Sequence, residues 1–312
     1  MLRRGSASAA RRTALCVAAL SLVTALPPSA AGQDLLPTPS ELRVAGLEIA
    51  WWAVAPVPAG SDRIEYLSAD EDAVYVQTEG NLLTAIDLTT GAEKWVSRIG
   101  REGQKGIRVS TTPAIDAGPE TDAAPAKVIV CVGRVAYAID KDSGETIWAL
   151  PIPAAAAASP TFGVTDEGRR LFVSTISGSA YSYDLETIEE FNLEKRLEEF
   201  ATGAQRWRYE TGAPMVGPVL VDGIMAVLAN ERGIMVGVEA VDRNLLWRFQ
   251  TGGEATAPIT SADGVVYIAC SDRNLYAVDV TTGLDRWDYV SREPIETTPA
   301  VVKGSLYVTP FT

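Results

Sequence analysis

The stretch "LYAVDVTTGLDRW", residues 275–287, is written almost unchanged at 83–95 as "LTAIDLTTGAEKW". Each reads as an alternating strand, a tight turn and a second strand ending in tryptophan. Asp279 and Asp87 can accept hydrogen bonds from the N–H groups of the turn that follows, and Gly283 and Gly91 can supply its positive φ. Asp140, Ser143 and Gly144 repeat the arrangement ahead of Trp148. A residue that returns in unit after unit serves the unit, so these aspartates read as turn residues rather than catalytic carboxylates. The fourth unit departs from the pattern with Glu239 and "RNLLW", which allows a different turn there.

Working outward, Tyr75, Val128, Phe172, Val227, Tyr267 and Tyr307 align as the start of one short strand in successive units. Trp207, Trp247 and Trp287 are 40 residues apart, whereas Trp95 to Trp148 is 53 and Trp148 to Trp207 is 59. The longer gaps resolve into insertions between strands, where loops tolerate growth. Each unit runs from a proline-bearing segment ("TTPAI", "SPTFG", "GPVLV", "APITS", "TTPAV") through two strands to the turn and its tryptophan. Strands at this spacing predict an all-β array.

A four-stranded unit of this length cannot cover both of its own faces, so the units must stack, with large indole rings filling the gaps between sheets. The C-terminal "TTPAVVKGSLYVTPFT" holds only the first two strands of a unit, and "ELRVAGLEIAWW" near the other end reads as a shortened strand pair ending in Trp51 and Trp52. The halves are complementary. They predict a β-propeller of four-stranded blades, six in number, with the last blade closed by both termini. A seven- or eight-bladed ring and an open array are the alternatives.

The first 31 residues stand apart: Arg3, Arg4, Arg11 and Arg12, then the apolar run "TALCVAALSLVTAL", then "PPSAAG". That is the layout of a secretory signal, and its 14-residue apolar run is short for a membrane span. The expected organisation is a signal peptide at 1–31, a flexible N-terminal segment at 32–40 and the propeller at 41–312. Without the leader, 23 basic residues face 40 acidic ones. A surface so anionic repels nucleic acid and anionic lipid. The chain contains no histidine, which removes serine–histidine and cysteine–histidine catalysis and every histidine metal site.

The unit "YAVDVTTGLDRW", preceded by "GEATAPITSADGVVYIACSDRNL", resembles the repeat of pyrroloquinoline quinone (PQQ) propeller proteins, and the resemblance runs from about Trp51 to Thr312. Its spacing A-x-D-x-x-T-G-x-x-x-W recurs at Ala85–Trp95, at Ala138–Trp148 with Ser143 for threonine, and at Ala277–Trp287. This family includes quinoprotein dehydrogenases and non-enzymatic BamB-like scaffolds of outer-membrane assembly. The dehydrogenases place the quinone beside a disulfide between adjacent cysteines and hold calcium through Glu, Asn and Asp. Here Cys131 and Cys270 are far apart in sequence, in the same repeat column as Thr78 and Thr175, and no C-x-x-C-H motif occurs. The resemblance therefore implies a propeller without cofactor, PQQ with calcium being the alternative.

The insertion "ETIEEFNLEKRLEEFATG", Glu186–Gly203, switches to helical periodicity, with Leu193, Leu197 and Phe200 at i, i+4 and i+7 and Ile188 and Phe191 before them. These five are the candidate partner-binding residues, on a helix that either projects from one rim or folds back onto its own sheet. Arg101, Lys105 and Arg108 read as a solvated loop, and Asp70, Glu71 and Asp72 as a strand-connecting turn without calcium-loop spacing. The functional expectation is an exported, monomeric, non-catalytic propeller. It would bind envelope proteins in the periplasm or cell envelope of a Gram-negative-type bacterium, with membrane association only through a partner. A quinoprotein dehydrogenase and a carbohydrate- or cell-wall-binding module are the alternatives.

Overall fold

The computed structural model describes residues 43–44, 49–58, 62–100, 114–116, 126–194, 203–222, 224–302 and 304–309. Trp51–Val57 and Asp62–Thr312 form one compact unit. Among its described residues lie five four-stranded antiparallel sheets, each paired in simple sequence order, and one sheet of two strands. Blade 1 is Ile64–Ala69, Ala73–Thr78, Leu82–Asp87 and Glu93–Arg98, and blades 2 to 5 span 114–151, 161–210, 220–250 and 260–290. Blade 6 contains Ala300–Val302 and Ser305–Tyr307. The fold is a β-propeller.

The core lies between blades rather than within them. In blades 1 to 5 the second and third strands are largely buried on both faces, as in Ala73–Thr78; the fourth strand of blades 1 to 4 exposes most residues other than its tryptophan, as in Gln205–Glu210, and that of blade 5 is exposed throughout, Trp287 included. Each apolar cluster joins one blade to the next: Tyr75 and Trp95 of blade 1 meet Val128 and Val130 of blade 2, and Trp247 of blade 4 meets Val266 and Ile268 of blade 5.

The repeat motif now has a physical reading. The residue opposite each tryptophan is small, alanine in blades 1, 2 and 5, serine in blade 3 and glycine in blade 4, because the indole lies over it; a Cβ on Gly237 would fall 2.3 Å from Trp247. Asp87 Oδ1 accepts from the N–H groups of Thr89 (3.0 Å) and Thr90 (2.7 Å), and Asp140 and Asp279 do the same in their turns. Gly91, Gly144 and Gly283 have φ between 67° and 74°, and a Cβ on each would meet Trp51, Trp95 and Trp247 respectively at 2.5–2.7 Å. Glycine is thus demanded twice, by its backbone and by its neighbour.

The indole then reaches across the joint. Trp95, Trp207 and Trp247 donate Nε1–H to the carbonyls of Lys141, Ala240 and Val280, each the residue after the turn acid of the next blade (2.7–2.8 Å). Trp51 donates to Leu88 in the same way at 2.7 Å. It therefore takes the place of a tryptophan from a blade preceding blade 1, while Trp52 is 81% exposed. Pairing of the two chain ends in one blade is not seen among the described residues: 49–58 forms no strand, and 45–48 and 310–312 lie outside them.

Two sequence expectations are corrected. The strand of blade 2 is anchored by Ile129, not Val128, because Ile129 pairs with Ala138 and Ala138 with Trp148. The turn between its second and third strands is one residue shorter than in the other blades, so Cys131 aligns with Gln77 and Ser174 and leaves the column of Cys270. Blade 4 keeps the common turn despite its different sequence: Arg243 donates its N–H to Glu239 O (2.9 Å) with φ at 59°, as Gly283 does to Asp279 O.

Candidate docking site on the connector rim

Antiparallel order puts the inter-blade connectors and the turns between second and third strands on one rim. The other two turns of every blade lie on the opposite rim. On the connector rim, backbone groups are tied across the surface. Glu231 donates its N–H to Pro214 O (2.8 Å) and accepts at its carbonyl from Ala255 N–H (3.0 Å), so the turn of blade 4 is fastened to the connectors on both sides. Thr211 and Thr251 reinforce the start of each connector: Thr211 Oγ1 donates within reach of Gly178 O (3.0 Å) and Ala213 O (2.9 Å), Thr251 Oγ1 of Gly233 O (3.0 Å) and Gly253 O (2.6 Å). Sequence reading missed both threonines, although "ETG" and "QTG" at equal distance after Trp207 and Trp247 carried the signal.

Between these two connectors opens a cavity of about 600 Å³. Its walls are chiefly Gly212, Ala213, Pro214, Ala255, Ala257 and Pro258, and three charged side chains, Glu231, Arg232 and Glu254, stand at it. All three are exposed. No aromatic residue lines it. Such an opening is rigid, because its walls are hydrogen-bonded main chain, and it offers charge only at its margin.

The opposite rim is acidic. Glu71, Asp72, Asp142, Glu167, Glu186 and Glu190 are exposed there. Lys141 is one counter-charge, bridging blades 1 and 2 at 2.7 Å from Asp70 and 2.8 Å from Asp72. Burial works against the Asp70 charge, yet the Lys141 ammonium and the N–H groups of Asp72 and Ala73 hold its carboxyl below its ordinary value. The 70–72 turn connects the first two strands of blade 1, and Lys141 engages two of its carboxylates. Among the described residues no cluster of three or more acidic or cysteine side chains could hold a metal ion.

The insertion forms helix α1, Leu185–Glu194, on this acidic rim. Asp184 caps it, accepting from Thr187 N–H at 2.8 Å. Burial raises the Asp184 pKa, but this bond and the Arg206 guanidinium outweigh it and bring the carboxyl below its ordinary value. The helix does not project. Leu185 and Ile188 are 1% and 0% exposed within the cluster joining blades 2 and 3, and Glu189 reaches Lys127 of blade 2 (2.7 Å) and Arg169 of blade 3 (3.1 Å). Ile188 is therefore withdrawn from any partner surface, because it packs on its own sheets. Only the helical backbone is described for Phe191 and Leu193, and Leu197 and Phe200 lie outside the described residues, as do Arg101, Lys105 and Arg108.

The two cysteines of the described residues do not form an adjacent pair. Cys131 and Cys270 are buried thiols without a disulfide, in the joints between blades 2 and 3 and between blades 4 and 5. Burial pushes the Cys270 thiol up to about 11, which makes it a packing residue. A quinone site of the adjacent-cysteine kind does not fit these residues.

Comparison with known proteins gives a consistent picture of the fold. The family model described as outer membrane protein assembly factor BamB matches residues 42–190 and 132–309. BamB of Nitrosomonas eutropha (strain DSM 101675 / C91 / Nm57) is 30% identical over 105 residues, which are 34% of this chain and 25% of that protein. The serine/threonine-protein kinase AfsK of Streptomyces griseus is 24% identical over 276 residues, 74% of this chain and 31% of the kinase. The chain thus spans about a quarter to a third of the length of the curated relatives it matches. Among solved structures, BamB from Moraxella catarrhalis superposes with a TM-score of 0.54 at 14% identity, over 78% of this chain and 68% of that one.

Proposed function

We propose a role that proceeds from one fact: the chain belongs to the family of the outer membrane protein assembly factor BamB. In this reading the propeller is exported to the cell envelope and holds another envelope protein on its connector rim, in outer-membrane protein assembly, without chemistry of its own. The observation that carries it is the hydrogen-bonded connector surface around the 600 Å³ opening, a preformed face that loses little freedom when a partner docks. Export is supported by the arginine-led apolar leader at 1–31. The absence of histidine and of an adjacent cysteine pair supports a non-catalytic role.

Photo-cross-linking in intact cells tests the docking face. With a photoreactive amino acid at Pro214, adducts with an outer-membrane assembly component are expected; at Asp142, on the acidic rim, they are not. No adduct from Pro214, or the same adducts from both positions, would defeat the reading. Catalysis has its own test: adding PQQ and calcium to the purified protein should give no dye reduction with alcohols or sugars, and turnover would end the non-catalytic proposal.

A further inference from the structure

We propose that the connector-rim opening takes an extended polypeptide segment of the docked partner and places a lysine or arginine of that segment between Glu231 and Glu254. The inference rests on the docking reading above and names the chemistry of the partner.

Three features of the site lead to it. Small-molecule sites are lined mainly by apolar and aromatic side chains, with a few polar groups converging on the ligand. This opening has no aromatic residue, and its walls are mostly glycine, alanine and proline from two connectors, with Val216, Thr256 and the buried Met215 completing them. Walls built so largely of small residues let another main chain approach closely. The second feature is charge. Glu231 sits in the second-to-third-strand turn of blade 4 and Glu254 in the connector to blade 5, and both are exposed. Neither carboxylate has an ion-pair partner among the described residues.

The third feature is position within the repeat. The turn residues equivalent to Glu231 in blades 3 and 5 are Ile176 and Ser271, fixed by the bridges Met215–Asn230 and Ala255–Cys270 and by the matching bridge Ala156–Thr175. The connector residues equivalent to Glu254 are Ala155 and Pro214. Taken with the connector that leaves the same blade, the three turns give Ile176 with Pro214, Glu231 with Glu254 and Ser271 with Pro294, so of these only the blade 4 turn is followed by a second carboxylate. Arg232, next to Glu231, disfavours a basic residue less than the two glutamates favour one, so the preference is for positive charge.

The probe is a fluorescein-labelled nonapeptide of glycine, alanine and serine with one central lysine, compared with the same peptide carrying glutamine or glutamate at its centre. Fluorescence anisotropy with the full chain should show the lysine peptide binding about tenfold more tightly than the glutamine peptide, the sum of two exposed ion pairs, with the glutamate peptide weaker still. Glu231→Gln and Glu254→Gln should each reduce lysine-peptide binding about threefold, and the double variant should bind the lysine and glutamine peptides alike. Both side chains are exposed, so an unchanged circular dichroism spectrum serves as the folding control.

Equal binding of lysine and glutamate peptides overturns the inference. So does a preference that survives in the double variant, failure of all three peptides to bind, or complete competition by free lysine amide, which would mark a small-molecule site. The docking reading fails separately. If Pro214 adducts form in cells while the peptides show no charge preference, docking stands and the basic segment does not; if the preference holds without adducts, the reverse is true.

Discussion

The joint between blades 4 and 5 and the joint between blades 2 and 3 are built from the same parts and finished differently. In the first, Trp247 is buried, rests against Gly283 and donates to Val280 O at 2.7 Å. In the second, Trp148 is equally buried, yet its indole N–H finds no acceptor among the described residues. The carbonyl that should receive it belongs to Leu185, the residue after the turn acid. Leu185 is the first residue of helix α1, where its carbonyl is taken up by the helix's own i→i+4 bonding. Asp184 carries out one task in both contexts, since an aspartate that closes a turn through the N–H three residues on also caps a helix. The turn was thus a ready starting point for a helix. The loss at Trp148 is offset by Ile188 packing and by the Lys127–Glu189 pair across the joint.

The largest effect that breaks the comparison is removal of a finished wedge. Trp247→Ala should lower the unfolding free energy by about 3–5 kcal/mol in urea titration. Trp287→Ala, at a 42% exposed tryptophan, should lower it by only about 1–2 kcal/mol. Next comes the ion pair of the modified joint. Glu189→Gln leaves the Lys127 ammonium buried at 2% side-chain exposure, and should cost about 2–3 kcal/mol; Lys127→Met added to it should restore most of that.

A smaller difference isolates the missing bond. Trp247→Phe and Trp148→Phe remove similar volume, but only the first removes a satisfied donor, so it should be the more destabilising by about 1 kcal/mol. Arg243→Gly should stabilise blade 4 by about 0.5–1 kcal/mol in thermal unfolding, because Arg243 occupies a left-handed φ of 59° where blades 1, 2 and 5 use glycine.

The smallest effect is a pH dependence. The Arg286 guanidinium, with the N–H and hydroxyl of Thr282, holds the Asp279 carboxyl down to about 2 from its ordinary 3.8. A depressed carboxylate contributes stability above its unfolded value and loses it as pH falls through the folded one. Asp279→Asn should therefore flatten the melting-temperature profile between about pH 4 and pH 2 and leave it parallel to the parent above pH 5.

Much of this was readable in the sequence because the repeat is written in residues with one physical use each. Asp, Gly and Trp at fixed offsets gave the turn, the left-handed position and the wedge, and hence the blades. Column alignment failed at Val128, since a one-residue contraction of a turn leaves no mark in a run as uniformly apolar as "VIVCV". It also left the turn of blade 4 open, because backbone geometry imposed by the neighbouring blade overrides the preference of Arg243. The helix was legible and its direction was not: periodicity finds an apolar face, but Lys127 and Arg169, distant in sequence, decide where it points. The connector opening was least visible of all. It is made of main chain, and glycine, alanine and proline announce flexibility or turns rather than a surface.

The tryptophan latch asks only for a peptide oxygen and an absent side chain on the other side. Any unit ending in such a ring can follow any unit beginning with such a turn, in whatever number. Gene duplication or deletion could therefore lengthen or shorten such a wheel by whole spokes without inventing a new joint, leaving the faces that meet other molecules free to diverge.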